Sequence, residues 1–489
     1  MAKPLSILFV SSECVPYAKE TGVADVSYSL PLALRESGHD VRVVIPKYGC
    51  ISERRNKIHE ISRLRDIEIP FNDSIELTTI KSSSILNSRT KVQAYIVTNR
   101  HYYDDRRGIF HDPVTWELYD DNCERFMFYA VAVVQTCLML GWIPDIIHCN
   151  DWQTAFLPGL IREVFNKKFK KTKIIYTIHN FYHQGVFPLD KLKNSPLPPE
   201  AQANYRHKYK FNFMKGGIFY SDYVTTVSPN YASEILKDTK YGNGLDTLLK
   251  DKKADFKGIL NGIDTGKWNP HKDKHVLFKL DGDVKKYKMQ NKMAVAKAFG
   301  LTLDPAKPLI AMIVRIGTQK GIELFLEAAD SIFAENVQMV ILGQGNDQEL
   351  KDKLKEVANK YPSQLKIKIS YDEDLAHQIE SGADMFLMPS LYEPCGLNSM
   401  YSITYGTVPI VRETGGLANI VTEYNGNEGN GFLFKKYTPE SMHKAIVKAI
   451  TLYNNKEEWI NFVERIMEED HSWNGKVDEY VEIYKNLKK

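Results

Sequence analysis

Several features that would have assigned this chain quickly are missing from it. Its six cysteines (14, 50, 123, 137, 149 and 395) form no CxxC pair, and several sit in apolar runs, which suits reduced thiols better than a disulfide framework. An excess of one charge is missing too: 64 Lys+Arg against 61 Asp+Glu leave only +3, so no nucleic-acid footprint is indicated. Local basic runs such as residues 167–173 read as solvated faces. No apolar run approaches the ~18 residues that cross a bilayer. Residues 5–10 are too short for a signal-peptide core and soon meet Glu13. The expectation is no nucleic-acid partner, no membrane partner and a cytoplasmic location, or a plastid-like compartment after processing. Short-period repeats and low-complexity segments are also absent, which speaks against a solenoid.

What is present is a repeated grammar of hydrophobic strands that stop where polar residues begin. At 489 residues, with 43% hydrophobic and 26% charged residues, the chain should form two or three ordinary α/β domains. Residues 5–11 (LSILFVS) predict a buried strand, followed by the loop AKETGVADV, a helix from about Val26 to Gly38 and a strand over 41–45. The loop is not GxGxxG, so a nicotinamide or flavin enzyme loses its main support. Residues 51–115 are mixed, with strand candidates at 67–69 and 92–97. A long amphipathic helix follows over 122–140. Strands over 145–149, 174–178 and 224–227 end in Asn150-Asp151-Trp152-Gln153, His179-Asn180 and Ser228-Pro229. Near residue 255 the pattern restarts, with strands over 309–314, 337–342, 365–369, 385–388 and 408–411 and a terminal helix over 473–487. Two doubly wound halves with a cleft between them are the economical expectation.

The most informative stretch is 384–421. A short strand runs into a loop holding Glu393 and Cys395-Gly396, then a helix closed by Gly406. A second strand then runs into Thr414-Gly415-Gly416 and another helix. Loops at the carboxyl ends of buried parallel strands gather ligands, and helix N-termini suit anions. Arg315 and Lys320 leave the end of the 309–314 strand, so a guanidinium and an ammonium could neutralise a departing pyrophosphate. Lys19 offers a further cation after the first strand, and Asp25 stands at the start of the following helix. His179 and His183 are four apart, but the segment begins at a strand end and lacks HExxH. A cleft histidine bonding a polyhydroxylated ligand fits better than a metal ligand.

These motifs together resemble the bacterial glycogen synthases and plant starch synthases. The resemblance runs nearly end to end: ILFVSSECVPYAKETGVADV, DDNCERF, HCNDWQTA, TIHNFYHQGVF, FMKGGI, VTTVSP and YGNGLD, then NGIDTGKWNP, VRIGTQKG, YDEDLAH, ADMFLMPSLYEPCGL, YGTVPIVRETGGL and MEEDHSW. It implies a GT-B fold of two Rossmann-like domains, 1–255 on the acceptor side and 256–470 on the donor side. It also implies that the helix 471–489 returns to the first domain. The implied activity is metal-free, cofactor-free transfer of glucose from ADP-glucose to the non-reducing end of an α-1,4-glucan, with retention.

By the same resemblance Glu393, Arg315, Lys320 and His179 form the catalytic set. Donor contacts are implied for Lys19, Gly22, Asp25, Asn261, Tyr371 (stacked on the base), Cys395, Gly396, Leu397, Thr414, Gly415, Gly416 and Leu417. Sugar or acceptor contacts are implied for Asp121, Gln153, Asn180 and Gln184. Three departures stand out. The usual Lys-x-Gly-Gly-Leu is Lys19-Glu20-Thr21-Gly22-Val23 here, Gln153 replaces a common histidine, and Asn398-Ser399 replaces a Thr-Gln-like pair. Thr21 where glycine is usual, with Glu20 beside a diphosphate, is expected to weaken the donor site. The alternative function is therefore a weakly active or inactive homologue that binds glucan or a partner synthase.

Overall fold

The computed structural model describes residues 3–370 and 372–489. Tyr371 lies outside the described residues. Two compact units are present: one comprises the chain up to Gly262 together with Trp473–Lys489, the other Ile263–Ser472.

The first unit contains β1 (Ser6–Val10), β2 (Asp40–Pro46), β3 (His59–Glu60), β4 (Ile67–Phe71), β5 (Ser74–Leu86), β6 (Lys91–Thr98), β7 (Ile146–Asn150) and β8 (Lys173–Ile178). It continues with β9 (Val186–Pro188), β10 (Arg206–His207), β11 (Lys210–Asn212), β12 (Tyr223–Thr226) and β13 (Phe256–Gly258). The large sheet runs β13-β12-β8-β7-β1-β2-β6-β5-β3, with β4 pairing β5, while β9, β10 and β11 form a small separate sheet. From β13 to β6 the pairs are parallel; β5 and its partners are antiparallel.

β1 is the pivot of this sheet. The chain winds outward from it through β2 and β6 on one side and through β7, β8, β12 and β13 on the other. In register, Val10 pairs Cys149 and Cys149 pairs Tyr176, so the residues after β1, β7 and β8 leave the same edge. That edge, at the reversal of strand order, is where open α/β sheets bind ligands. Helix α1 (Val23–Glu36) begins at Val23, three residues earlier than the sequence pattern suggests. Helix α2 (Asn122–Leu140) ends at Gly141, whose φ of 63° puts it in the left-handed region.

Two expectations need correction. α2 is long and apolar enough by composition to cross a membrane, so the statement that no run approaches that length fails. It is apolar because 78% of its most hydrophobic window is buried in the first unit's core. The domain borders also shift, from 255/256 to 262/263 and from 470/471 to 472/473, because β13 completes the edge of the first sheet. The terminal helix Lys476–Leu487 packs on the first unit: the Tyr484 hydroxyl meets His148 Nδ1 at 2.6 Å, Glu479 meets Lys257 at 2.7 Å, and Lys488 meets Asp145 at 3.1 Å. Burial lowers His148 to about 3, so the imidazole in that contact is neutral.

The second unit has one parallel sheet of β14 (Leu309–Arg315), β15 (Gln338–Gln344), β16 (Leu365–Ile369), β17 (Met385–Met388), β18 (Val408–Arg412) and β19 (Phe432–Phe434). Its order is β16-β15-β14-β17-β18-β19. Here β14 is the pivot, and the reversal lies between β14 and β17. Trp268 stacks flat on both His377 (3.8 Å) and Tyr401 (3.6 Å), so the tryptophan of NGIDTGKWNP packs as core.

Candidate active site

In the second unit three strand ends converge. The loop after β14 carries Lys320 and turns at Gly321, where φ is 73° and a Cβ would lie 2.0 Å from the Pro389 carbonyl oxygen. That close approach laces it to the loop after β17, as does the 2.9 Å bond from Leu391 N–H to the Gln319 carbonyl. Glu393 is buried and accepts from Lys320 Nζ at 2.6 Å and from Ser390 Oγ at 3.1 Å. Lys320 itself stays about one-quarter exposed. Arg412, at the end of β18, donates to the carbonyls of Ser390 and Leu391 and so holds the Glu393 loop from its other side.

The loop after β18 is packed against Glu393 by backbone alone. Gly415 has φ 48°, and a Cβ there would lie 1.8 Å from the Glu393 carbonyl oxygen; at Gly416 it would lie 2.0 Å from that of Cys395. No side chain fits at either position. Gly416 N–H donates to Glu393 O at 2.9 Å and Leu417 N–H to Thr414 O at 3.1 Å, so both amides bond within the loops in this conformation. Thr414 and Cys395 are buried beside them. Gly396 caps the helix Leu397–Thr404 at φ 86°, and the helix stops before Gly406 at φ 73°. Arg315 ends β14 exposed to solvent. Asn398 and Ser399 fit the helix without strain: Asn398 donates to Ile313 O at 3.4 Å, and Ser399 Oγ donates to Gly396 O at 2.7 Å.

In the first unit the groups after β1, β7 and β8 gather. Lys19 pairs with Asp25 at 2.9 Å, joining the loop to the first turn of α1. The loop Lys19-Glu20-Thr21-Gly22-Val23 hangs on Glu13, whose carboxylate accepts from Glu20 N at 2.6 Å, Thr21 N at 2.9 Å and Thr21 Oγ1 at 2.5 Å. Burial pushes Glu13 up to about 7 against the pull of those bonds. The backbone accommodates Thr21: it is not among the residues at positive φ, and its hydroxyl also accepts from Val23 N at 3.1 Å, so the local chain conformation does not demand glycine. Gly22, with φ −65°, sits in ordinary helical space. Glu20 pairs with His111 at 3.3 Å, and Trp116 stacks on that imidazole at 4.5 Å.

His179 is buried, with Nε2 3.0 Å from Asn150 Oδ1, and burial lowers it to about 3, so it works as a neutral hydrogen-bonding group. Asn180 accepts from Tyr182 N at 2.9 Å. Gln153 and Asn261 are buried, each with a side-chain oxygen lacking a partner. Asn261 belongs to the first unit, not the second as its expected donor-side role implied. Two expected acceptor residues are engaged inside the chain. Asp121 forms a bidentate pair with Arg106 at 2.6 Å, and Gln184 bonds Phe181 O, Asn243 O and Asn212 Nδ2.

Glu13 and Asp151 were not singled out from sequence. Asp151 sits at φ 59°, ψ −178°, a backbone region almost confined to glycine and typical of functional sites. Its Oδ1 is buried without a partner, although the amides of Asn180, His179 and Trp152 face the carboxylate. Burial, reinforced by Glu13, pushes it up to about 8. A strained acid whose pKa burial raises is a candidate for the chemistry of this edge. The available signal was its position directly after a buried strand. Among the described residues no group of three or more His, Cys, Asp or Glu side chains gathers as for a metal ion.

Likeness to known proteins runs along the whole chain. Residues 6–251 match the family described as Starch synthase catalytic domain, and residues 296–465 match Glycosyl transferases group 1. The chain is 38% identical to a glycogen synthase of Koribacter versatilis over 99% of its length and 98% of that protein. It is 37% identical to one of Clostridioides difficile over 99% and 100%. The catalytic domain of starch synthase IV from Arabidopsis thaliana, solved bound to ADP and acarbose, superposes with a TM-score of 0.90 at 30% identity, covering 99% of this chain and 100% of that one. With matches of that extent along its whole length, this chain belongs to the glycogen and starch synthase family of GT-B glycosyltransferases.

Proposed function

We propose that the protein transfers glucose from ADP-glucose to the non-reducing end of an α-1,4-glucan with retention of configuration. The observation that carries this reading is the Lys320–Glu393 pair at the strand-order reversal of the second sheet, flanked by a loop that only glycine can build. Lys320 and Arg315 supply positive charge for the diphosphate, and Lys19 is a further phosphate-binding cation, on the first unit. No metal is needed in this scheme, since the chain's own cations and helix N-termini offset the developing charge.

Glu393, already held by Lys320 and Ser390, orients the hydroxyls of the donor sugar rather than attacking it. Its rigid anchoring suits a group that must keep its place as the glycosidic bond lengthens. Retention then follows a front-face, oxocarbenium-like path in which the leaving phosphate takes the acceptor's proton. Neutral His179 and the protonated Asp151 provide hydrogen bonds for sugar hydroxyls on the first unit. A cytoplasmic location belongs to the same proposal, supported by six free thiols.

The alternative of a glucan-binding protein with a spoiled loop has no observation in its favour, because Thr21 and Glu20 are both accommodated. The test is ADP release from ADP-glucose with glycogen as acceptor, run beside UDP-glucose and beside Glu393→Ala. Glycogen-dependent ADP release that falls by about 100-fold or more in the variant is expected. Glycogen binding with no turnover of either donor would overturn the reading.

A further inference from the structure

The loop carrying Lys19 is held chiefly by one buried side chain, Glu13. This carboxyl is buried, three residues past β1, and receives two backbone amides and one hydroxyl from Glu20 and Thr21. Lys19 is the residue immediately before the first of those amides. Its ammonium is then tied to Asp25 on α1 at 2.9 Å, so the side chain spans from the gripped loop to the helix. Thr21 adds a bond that a glycine could not make, and its oxygen simultaneously accepts from Val23 N at 3.1 Å, fastening the loop to the start of α1.

We propose that Glu13 is a positioning residue: acting through Glu20 and Thr21, it sets where the Lys19 ammonium is presented to a phosphate-bearing ligand at this edge of the first unit. The assignment rests on the donor reading given above. Without the grip, the loop between β1 and α1 would keep its sequence and its charge but lose the fixed distance between Lys19 and the sheet edge. A cation placed loosely binds phosphate more weakly, because ordering it on binding costs entropy. Thr21 is then a strengthening of the device: the hydroxyl provides the third bond to the same carboxyl.

The experiment is calorimetric titration of ADP into the full-length protein, with donor kinetics alongside, for wild type, Glu13→Gln, Lys19→Gln and the double variant. The amide keeps the size of the carboxyl but turns a donor toward N–H groups. Glu13→Gln is expected to weaken ADP and raise the donor KM by about tenfold while kcat changes by less than about threefold. In the Lys19→Gln background the same change should have no further effect, which a merely structural residue would not show. Thr21→Val should weaken ADP by about threefold and Thr21→Ser should restore it, and this pair decides the matter if Glu13→Gln does not fold. An equal Glu13→Gln effect with and without Lys19, or unchanged ADP affinity, overturns the assignment alone. A wild-type protein that binds no ADP overturns the donor reading and this assignment together.

Discussion

The two units place loops at comparable points of two doubly wound sheets, yet they secure them with a different balance of main chain and side chain. In the second unit side-chain ties from Lys320 and Arg412 are added to loops that already touch through main chain: Gly321 against Pro389, Gly415 against Glu393, Gly416 against Cys395. Every one of those contacts would be blocked by a single methyl group. In the first unit the corresponding loop contains Glu20 and Thr21 and is held by side chains, chiefly the buried Glu13. Backbone-to-backbone packing gives fixed geometry but tolerates no substitution. A side-chain anchor leaves the loop's own sequence freer and ties its hold to a titratable group. That contrast explains why the departure from the usual glycine is found in the first unit.

The contrast can be broken most severely at Gly415. Gly415→Ala adds a Cβ within 1.8 Å of a carbonyl oxygen at φ 48°. It should cost about 3 kcal/mol or more of second-unit stability, measured by denaturant unfolding, with loss of Glu393-dependent activity.

A smaller effect sharpens the first-unit side. Asp151 has its folded pKa raised from 3.8 to about 8, so the folded state holds the proton more tightly than the unfolded one. Its stabilising contribution is present below the unfolded value and is lost as pH rises toward 8. Glu13, raised from 4.5 to about 7, acts in the same direction. Buried His148 and His179, lowered to about 3, act in the opposite direction below the ordinary histidine range, so the readout is the difference between two proteins. Relative to wild type, Asp151→Asn should remove up to about 1.4 kcal/mol per pH unit of the fall of stability with rising pH. Melting curves from pH 5 to 8 read this directly; equal slopes would show that the acid is not held protonated.

The smallest expected effect is none. If the chain's own basic residues suffice for the diphosphate, a strong chelator should leave glycogen-dependent ADP release unchanged. A metal-restorable loss of rate would show that neither way of building the loops supplies enough positive charge.

Much of this organisation could be read before any coordinates. The strands now seen as β1, β7, β8, β14, β17 and β18 are short apolar runs ending in polar residues, since both faces of a parallel sheet are covered. Lys320, Glu393 and the Thr414-Gly415-Gly416 turn stood out because they follow such runs directly. β5 did not: its thirteen residues alternate between Ser, Thr, Lys and apolar side chains at an antiparallel edge, and the period was too weakly marked to separate it from loop. The family resemblance points to Asp121 and Gln184 for sugar contacts, and the sequence does not show their partners, Arg106 and Asn212, which lie 15 and 28 residues away. Only folding shows that those groups are already engaged.

Fold class and family were legible in the sequence alone, as were the basic residues that directly follow strands. Each is encoded locally, in hydrophobic period, in glycines at turns and in residues that directly follow strands. The tertiary structure decided which of those residues are held and by what. Glu13 reaches the loop seven and eight residues on, Lys320 meets Glu393 across 73 residues, and His148 meets Tyr484 across 336. Such contacts depend on the path of the chain through space. Burial, which sets the protonation of Glu13, Asp151 and His179, depends on everything packed around them.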